Sequence, residues 1–433
     1  MKKEVLMFMV DFHTHNRLAY GLNSSFITLI PKNENPVGLG DYRPISLVGF
    51  VYKILSKVLA HRLKRVLPEV IGVTQSAFLG GMNILDGVLI ANEVVDSWKK
   101  SKKKGRKEVV ISHLQFADDS VIFCEADMKQ LVSIKRGLRC FELLSGLRIN
   151  YHKSVFCGYG VGNEVLSAMV DLLNCQVQGL LLKFLGLPLG ANPRKNSTWK
   201  PILEKFKSRI AGWKRRLLSF ASRLTLIKSV VSNLPLYYLS LFKMPLGLAK
   251  ELEKIEASFL WGGTKLKKKI HMVKWVEVTK SASLGGLGIR RIIDVNTCLL
   301  LKWWWKFGCE PNALWRKVLC SKYLIDEDRW LPILRPSCKY SRVWSDIISI
   351  AIHKQPLYKF FLDNFLIKVG DGKTVKFWFD KWCGNICLKD EFPSLYRLST
   401  NKEDTLPLFY DKRSSLGNWN LSFRRTPYEW ELV

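Results

Sequence analysis

Phe116-Ala117-Asp118-Asp119 constrains the fold of this chain more than any other stretch. Val109-Val110-Ile111 and Leu114 run up to it, and Val121-Ile122-Phe123 leave it. β-Branched and aromatic runs on both sides of a short polar pair specify two antiparallel strands joined by a tight turn, with two carboxylates at its tip. Adjacent carboxylates repel, and each is costly to desolvate. If the tip is buried, the pair needs a cation, and a divalent metal handling phosphates is the leading candidate. If it is exposed, it is a solvated turn, because Asp is a favoured turn residue. These four residues alone leave both readings open.

The charge selects among partners. Lys and Arg total 68 against 37 acids, a net charge of +31. Such an excess self-repels unless it meets a polyanion, and nucleic acid is the commonest one inside cells. An anionic membrane surface competes, but the basic residues are spread over the whole chain and not gathered beside one amphipathic anchor. RNA and DNA are therefore the expected partners. No apolar run reaches the ~18 residues of a membrane helix, so no membrane is expected. Met1 to Val10 is too short for a signal peptide, so the expected location is intracellular, nuclear or cytoplasmic. The ten cysteines include no C-x-x-C pair. Cys383 and Cys387 lack a matching Cys/His pair at zinc-finger distance, so no zinc is expected.

Around the hairpin the elements follow by pattern. Phe26-Ile27-Thr28-Leu29-Ile30 reads as a strand stopped at Pro31. Ser46 is placed to cap a helix whose apolar stripe is Val48, Val51, Tyr52, Leu55, Leu59, Leu63 and Val66, and Pro68 is its expected end. A second helix covers roughly Asp86 to Trp98. Seven of the nine residues from Lys99 to Lys107 are basic, which suits a solvated linker, a phosphate-contacting patch or a nuclear-import signal. Beyond the hairpin, Leu131, Ile134, Leu138 and Phe141 predict a helix ending at Ser145-Gly146. Lys183 to Gly190 predicts a glycine-bent strand or hairpin.

From Trp199 the period turns helical. Ile202, Phe206, Ile210, Trp213 and Leu217 form the apolar side, and Lys205, Arg209, Arg215 and Arg216 stand on the basic side. A helix over about Arg223 to Leu234 should stop at Pro235. Such a basic pair of helices can track a nucleic-acid backbone, because phosphate contacts need only Lys and Arg. It can equally be a plain helical bundle. Ten of the fifteen tryptophans fall after residue 300. Buried core is the default for them and base stacking the sharper alternative.

Taken in order, these pieces resemble the reverse transcriptase of a non-LTR (LINE-type) retrotransposon of the kind abundant in plant genomes. Asn23 to Lys32, Asp41-Tyr42-Arg43-Pro44-Ile45-Ser46-Leu47, Gln75-Ser76-Ala77-Phe78 and Ile84-Leu85-Asp86-Gly87 resemble the fingers. Phe116-Ala117-Asp118-Asp119 matches the metal-binding palm motif, and Ser145 to Asn150 with Lys153-Ser154 resembles the next one. Phe184 to Gly190 resembles the hairpin at the base of the thumb, Arg223 to Val230 a thumb helix, and Val369 to Trp382 the region beyond it. The resemblance implies an α+β fold, an incomplete right-hand polymerase. Its parts are a fingers-like segment over 1–105, a truncated palm with the β-hairpin over 106–192, a helical thumb-like segment over 193–262 and a mostly helical Trp-rich region over 263–433.

The resemblance also implies the chemistry. A primer 3′-hydroxyl attacks the α-phosphate of a nucleotide while two Mg²⁺ ions ~3.5–4 Å apart stabilise the attacking and leaving oxygens. Asp118 is then the principal metal ligand and catalytic residue, with Asp119 its partner. Lys32 and Arg43 are implied to contact triphosphate or template, and Lys153 to assist the departing pyrophosphate. One departure stands out. In the family a palm strand bearing another essential Asp, and a segment shaping the nucleotide pocket, lie between the fingers and this hairpin. Only the twelve residues Lys99 to Val110 occupy that interval here, with Glu108 their sole acid. A crossover unit alone takes about a dozen residues. The expectation is a reverse-transcriptase-derived chain defective in polymerisation; the alternative is a non-catalytic nucleic-acid-binding relic or a pseudogene product. Loss of the neighbouring strand should also leave an open edge and exposed apolar surface.

Overall fold

The computed structural model describes residues 2–32, 35–79, 83–100, 111–179, 182–214, 218–262, 273–327, 329–332, 335, 338–365, 367–373, 375–384, 386–410 and 421–428. Helices and small two-stranded sheets are mixed along the chain, compatible with α+β. It divides into two compact units, Met1–Asn83 with Gln115–Ser120, and Ile84–Leu114 with Val121–Val433.

The first unit holds helix α1 (Lys2–His15), strands β1 (Ser25–Pro31) and β2 (Tyr42–Val48), and helix α2 (Phe50–Val70). β1 and β2 pair antiparallel from Ser25↔Val48 to Pro31↔Tyr42. Ser46 therefore sits opposite Ile27 in the ladder and does not cap a helix. The N-cap of α2 is Gly49, which contributes no side-chain hydrogen bond. Pairing along the whole ribbon outweighs the local capping preference of Ser46. Pro68 does not end α2 either; it lies inside the last turn, and Ile71 N–H closes on Leu67 O. Pro44 is tolerated because both strands of a two-stranded ribbon are edges.

This unit is thinly cored. Among its described hydrophobic residues only Leu55, Ala77 and Leu79 are buried. On β1, Phe26 is 84% and Ile27 66% exposed, and Leu59, Leu63 and Val66 leave the stripe of α2 largely uncovered. This exposed apolar surface belongs to β1 and α2, whereas the exposure expected from a lost strand concerned the palm around the hairpin.

The second unit is built on one continuous core. Helix α3 (Ile84–Lys100) contributes Val88, Leu89, Ile90 and Ala91 to it. Strands β3 (His113–Phe116) and β4 (Asp119–Ile122) form the hairpin, whose base adds Leu114 to the same core. Helix α4 (Met128–Ser145) is capped by Asp127, whose carboxylate accepts from Lys129 and Gln130 N–H, and it ends at Gly146 with φ +71°. The stop read from the sequence is therefore where the glycine supplies a left-handed cap. Strand β5 (Val155–Phe156), helix α5 (Asn163–Leu173) and strand β6 (Gln176–Val177) make a small parallel crossover. Strands β7 (Lys183–Phe184) and β8 (Leu187–Pro188) are joined by Leu185-Gly186, both at positive φ (+52° and +81°). Two positive φ values in a two-residue loop are the type I′ geometry that matches strand twist.

Helix α6 (Asn196–Lys214) buries Trp199, Ile202, Phe206 and Ile210, the stripe read from the sequence, and half-buries Trp213. Helix α7 (Phe220–Ser229) is shorter than expected: Val230 leaves helical geometry at φ −121°, and a 3₁₀ turn over Val231–Asn233 follows. Helices α8 (Leu236–Leu239), α9 (Leu246–Leu260), α10 (Trp275–Val278), α11 (Ile292–Cys309), α12 (Leu314–Tyr323) and α13 (Arg342–Ile348) complete the packed body. The tryptophans serve mainly as core. Trp303, Trp304, Trp315 and Trp344 are buried, and the indole N–H groups of the first three donate to Ser240 O, Ile347 O and Glu310 Oε2. Buried indoles with satisfied N–H groups combine large apolar area with a fixed orientation. A smaller cluster of Val375, Phe377, Trp378, Leu406 and Phe409 lies towards the C-terminus. No helix among the described residues is long and apolar enough to cross a membrane.

Candidate functional site

The hairpin tip is a two-residue turn, Ala117-Asp118, between β3 and β4. Ala117 has φ +54°, a left-handed conformation that costs an L-residue roughly 1–2 kcal/mol. Gln115 holds the turn in place. Its side-chain amide donates to Ala117 O at 3.2 Å, its N–H donates to Thr74 O at 2.9 Å, and its carbonyl accepts from Ser76 N–H at 3.0 Å. Gln75 and Gln115 thereby form a parallel bridge. Thr74–Ser76 thus pairs part of the β3 edge. The sequence marked Gln75-Ser76-Ala77-Phe78 as a motif but gave no sign that it pairs with the hairpin.

Asp118 and Asp119 are both exposed. Two carboxylates on one exposed turn fit a single, weakly held cation. A two-ion centre needs carboxylates from a second element as well. Among the described residues there is no group of three or more His, Cys, Asp or Glu side chains that could hold a metal. Asp11 pairs with His15 at 2.9 Å, and Asp86 pairs with Lys306. Glu108 lies outside the described residues. The described residues therefore do not fit the two-magnesium arrangement.

The remaining candidates are distributed. Lys32 and Arg43 are exposed on the β1–β2 ribbon, with Arg43 opposite Ile30. Lys32 Nζ donates to Gly40 O at 2.7 Å. Close by, N–H groups of Val37 and Gly38 donate to the Asp41 carboxylate and hold its pKa below the ordinary value, with Lys32 adding a smaller push. Lys153, exposed in the second unit, begins no regular element; its N–H donates to Asn150 Oδ1 at 3.1 Å.

On α6, Lys205 and Arg209 are exposed one turn apart, flanking the buried stripe of Ile202, Phe206 and Ile210. Lys207 of the same helix is engaged by Glu251 at 3.0 Å. Arg215 and Arg216 lie outside the described residues. One unit thus carries a two-carboxylate hairpin tip, and α6 of the other carries two exposed cations without an ion-pair partner among the described residues.

No family model matches the chain. A stretch of 192 residues, 43% of this chain, is 38% identical to an Arabidopsis thaliana protein named after ribonuclease H, of which it covers 29%. A stretch of 161 residues, 37% of the chain, is 30% identical to an uncharacterized mitochondrial protein of Arabidopsis thaliana and covers 96% of it. A third stretch of 92 residues, 20% of the chain, is 36% identical to the uncharacterized 149 kDa protein of transposon TX1 from Xenopus laevis, covering 7% of its length.

Proposed function

We infer that this chain, which belongs to the family of the uncharacterized mitochondrial protein of Arabidopsis thaliana, is a transposable-element-derived, nucleic-acid-binding protein descended from a LINE-type reverse transcriptase. Similarity to a transposon TX1 protein supports the transposable-element origin. The ordered palm, thumb and post-thumb motifs support the reverse-transcriptase descent. The basic excess of 31 charges supports RNA and DNA as partners.

In this reading the chain no longer extends primers. The observation that carries it is the exposed Asp118-Asp119 pair, with no group of three or more candidate ligands among the described residues. Asp118 and Asp119 remain the residues that would hold Mg²⁺, as a single ion without the second element's carboxylate. A ribonuclease reading meets the same obstacle, since two-metal hydrolysis of a phosphodiester also needs a carboxylate cluster.

Primer extension with Mg²⁺, run beside an Asp118→Asn control, tests the proposal. Expected is salt-sensitive binding of template-primer and no incorporation above the control. Robust incorporation that disappears in Asp118→Asn would overturn it. Detection of the folded protein in cells separates a retained relic from a pseudogene product.

A further inference from the structure

A cavity of about 290 Å³ opens in the second unit among the end of α7, the 3₁₀ turn after it, α8 and the start of α11. Two cations line it, Lys228 from the last turn of α7 and Arg290 just before α11. Neither makes an ion pair among the described residues. Lys228 Nζ reaches across to Gly288, where it would lie 3.5 Å from an added Cβ. Two neutral polar side chains, Ser232 and Asn233, also line it. Asn233 Nδ2 donates one hydrogen to Ser229 O at 2.7 Å. Ser232 Oγ is buried with no hydrogen-bond partner. An orphaned buried hydroxyl costs about 1–3 kcal/mol, which a bound acceptor would relieve. The rest of the lining is apolar and includes Ile292 and Val295.

Two cations without an ion-pair partner among the described residues, lining one cavity with an unsatisfied hydroxyl, suit an anion with several acceptor oxygens, and phosphate is the commonest. The apolar wall and the volume exceed what a bare phosphate uses. The volume sits at the lower end of small-ligand pockets, ~300–1,000 Å³. We propose that this pocket binds a nucleoside monophosphate unit, its phosphate between Lys228 and Arg290 with Ser232 donating to it, and its base against the Ile292–Val295 wall. The unit is either a free nucleotide or the 5′-phosphorylated end of a strand. The site is independent of the Asp118 hairpin, and its fate does not depend on whether the chain polymerises.

The test is calorimetric titration of the full chain with adenosine 5′-monophosphate, adenosine and inorganic phosphate. Expected is saturable binding of the monophosphate, at least about tenfold weaker for adenosine and for phosphate alone. The Lys228→Gln/Arg290→Gln double variant should lose about tenfold or more in affinity. A charge-matched control, Lys302→Gln/Lys317→Gln at two exposed helical positions, should stay within about twofold. Competition by a 5′-phosphorylated oligonucleotide, but not its 5′-hydroxyl twin, identifies a strand end as the source. Competition by neither identifies the free nucleotide. Absence of saturable binding, adenosine binding as tightly as its monophosphate, or equal losses in the two double variants would each overturn the proposal. The comparison of the three ligands on unaltered protein decides the matter even if a variant fails to fold.

Discussion

Lys322 Nζ lies 2.8 Å from Glu93 Oε2, joining α12 to α3 across 229 residues of sequence. Tyr323 OH donates to the same oxygen at 2.6 Å, and Ser341 Oγ donates to the other. A carboxylate buried this deeply is tolerated because three donors converge on it. Burial, and the nearby Glu93 charge, push the Tyr323 phenol far above its ordinary pKa, so it remains a donor at any physiological pH. Helix α12 and Ser341 are thus locked to α3. Glu93→Ala would strand the Tyr323 phenol and the Ser341 hydroxyl, while Lys322 keeps Asp96 Oδ2 at 3.1 Å and the Glu93 backbone carbonyl at 2.7 Å. The cost should therefore fall at or below the lower end of the roughly 3–5 kcal/mol of a fully broken buried pair. The expected outcome is a loss of unfolding free energy of that size by urea titration, with a smaller loss for Glu93→Gln.

Glu256 gives the fold a pH dependence. Neither of its carboxyl oxygens has a hydrogen-bond partner, and burial, assisted by Glu253 beside it, pushes its pKa from 4.5 up to about 8. The folded chain therefore keeps a proton that the unfolded chain releases. The contribution of Glu256 to stability falls as pH rises from about 4.5 to about 8 and is level above that. Glu256→Gln mimics the protonated state, so its melting temperature should match the unaltered chain near about pH 4.5 and exceed it above about pH 8. Thermal melts at the two pH values check this, and equal curves at high pH would refute the assignment.

The turn strain at the hairpin tip is measurable. Ala117 at φ +54° costs roughly 1–2 kcal/mol, and glycine removes that cost while adding roughly 0.5–1 kcal/mol of chain entropy. Ala117→Gly should leave the hairpin unchanged or slightly more stable, whereas Ala117→Val should weaken it, since a β-branched residue resists positive φ. Amide hydrogen exchange at Gln115 and Val121 reads the difference.

These features were unequally legible in the sequence. The hairpin, the apolar side of α6 and the Gly146 stop could be read, because each follows from periodicity or from a residue with one conformational role. Ser46 could not, since its fate depends on the pairing of Ile27 some twenty residues away. Pro68 misled because a proline two residues from a helix end removes little. The Glu93–Lys322 pair lay beyond reach, for no local pattern reports a charge pair 229 residues apart. The site was legible as a motif but not as a geometry. Which side chains surround Asp118 is set by long-range folding, and the pairing of Thr74–Ser76 with Gln115 carries no compositional signal.

The last prediction concerns the basic face of α6. Lys205 and Arg209 are one turn apart, a rise of about 6 Å, and both are exposed without an ion-pair partner among the described residues. Lys207 points into its pair with Glu251. Each lysine or arginine that neutralises a phosphate releases a counterion and adds about −0.7 for single strands, or −0.9 for duplex, to the slope of log affinity against log salt. If α6 lies against a strand, Lys205→Gln/Arg209→Gln should make that slope shallower by about 1.4 units on single-stranded RNA and weaken binding similarly for all sequences. Lys207→Gln should leave the slope nearly unchanged, because its charge is already met by Glu251. Fluorescence anisotropy at several salt concentrations measures both. Identical slopes in all three proteins would move the nucleic-acid contact off α6. A Lys207 effect as large as one of the other two would mean that net charge alone, and not this face, draws the strand.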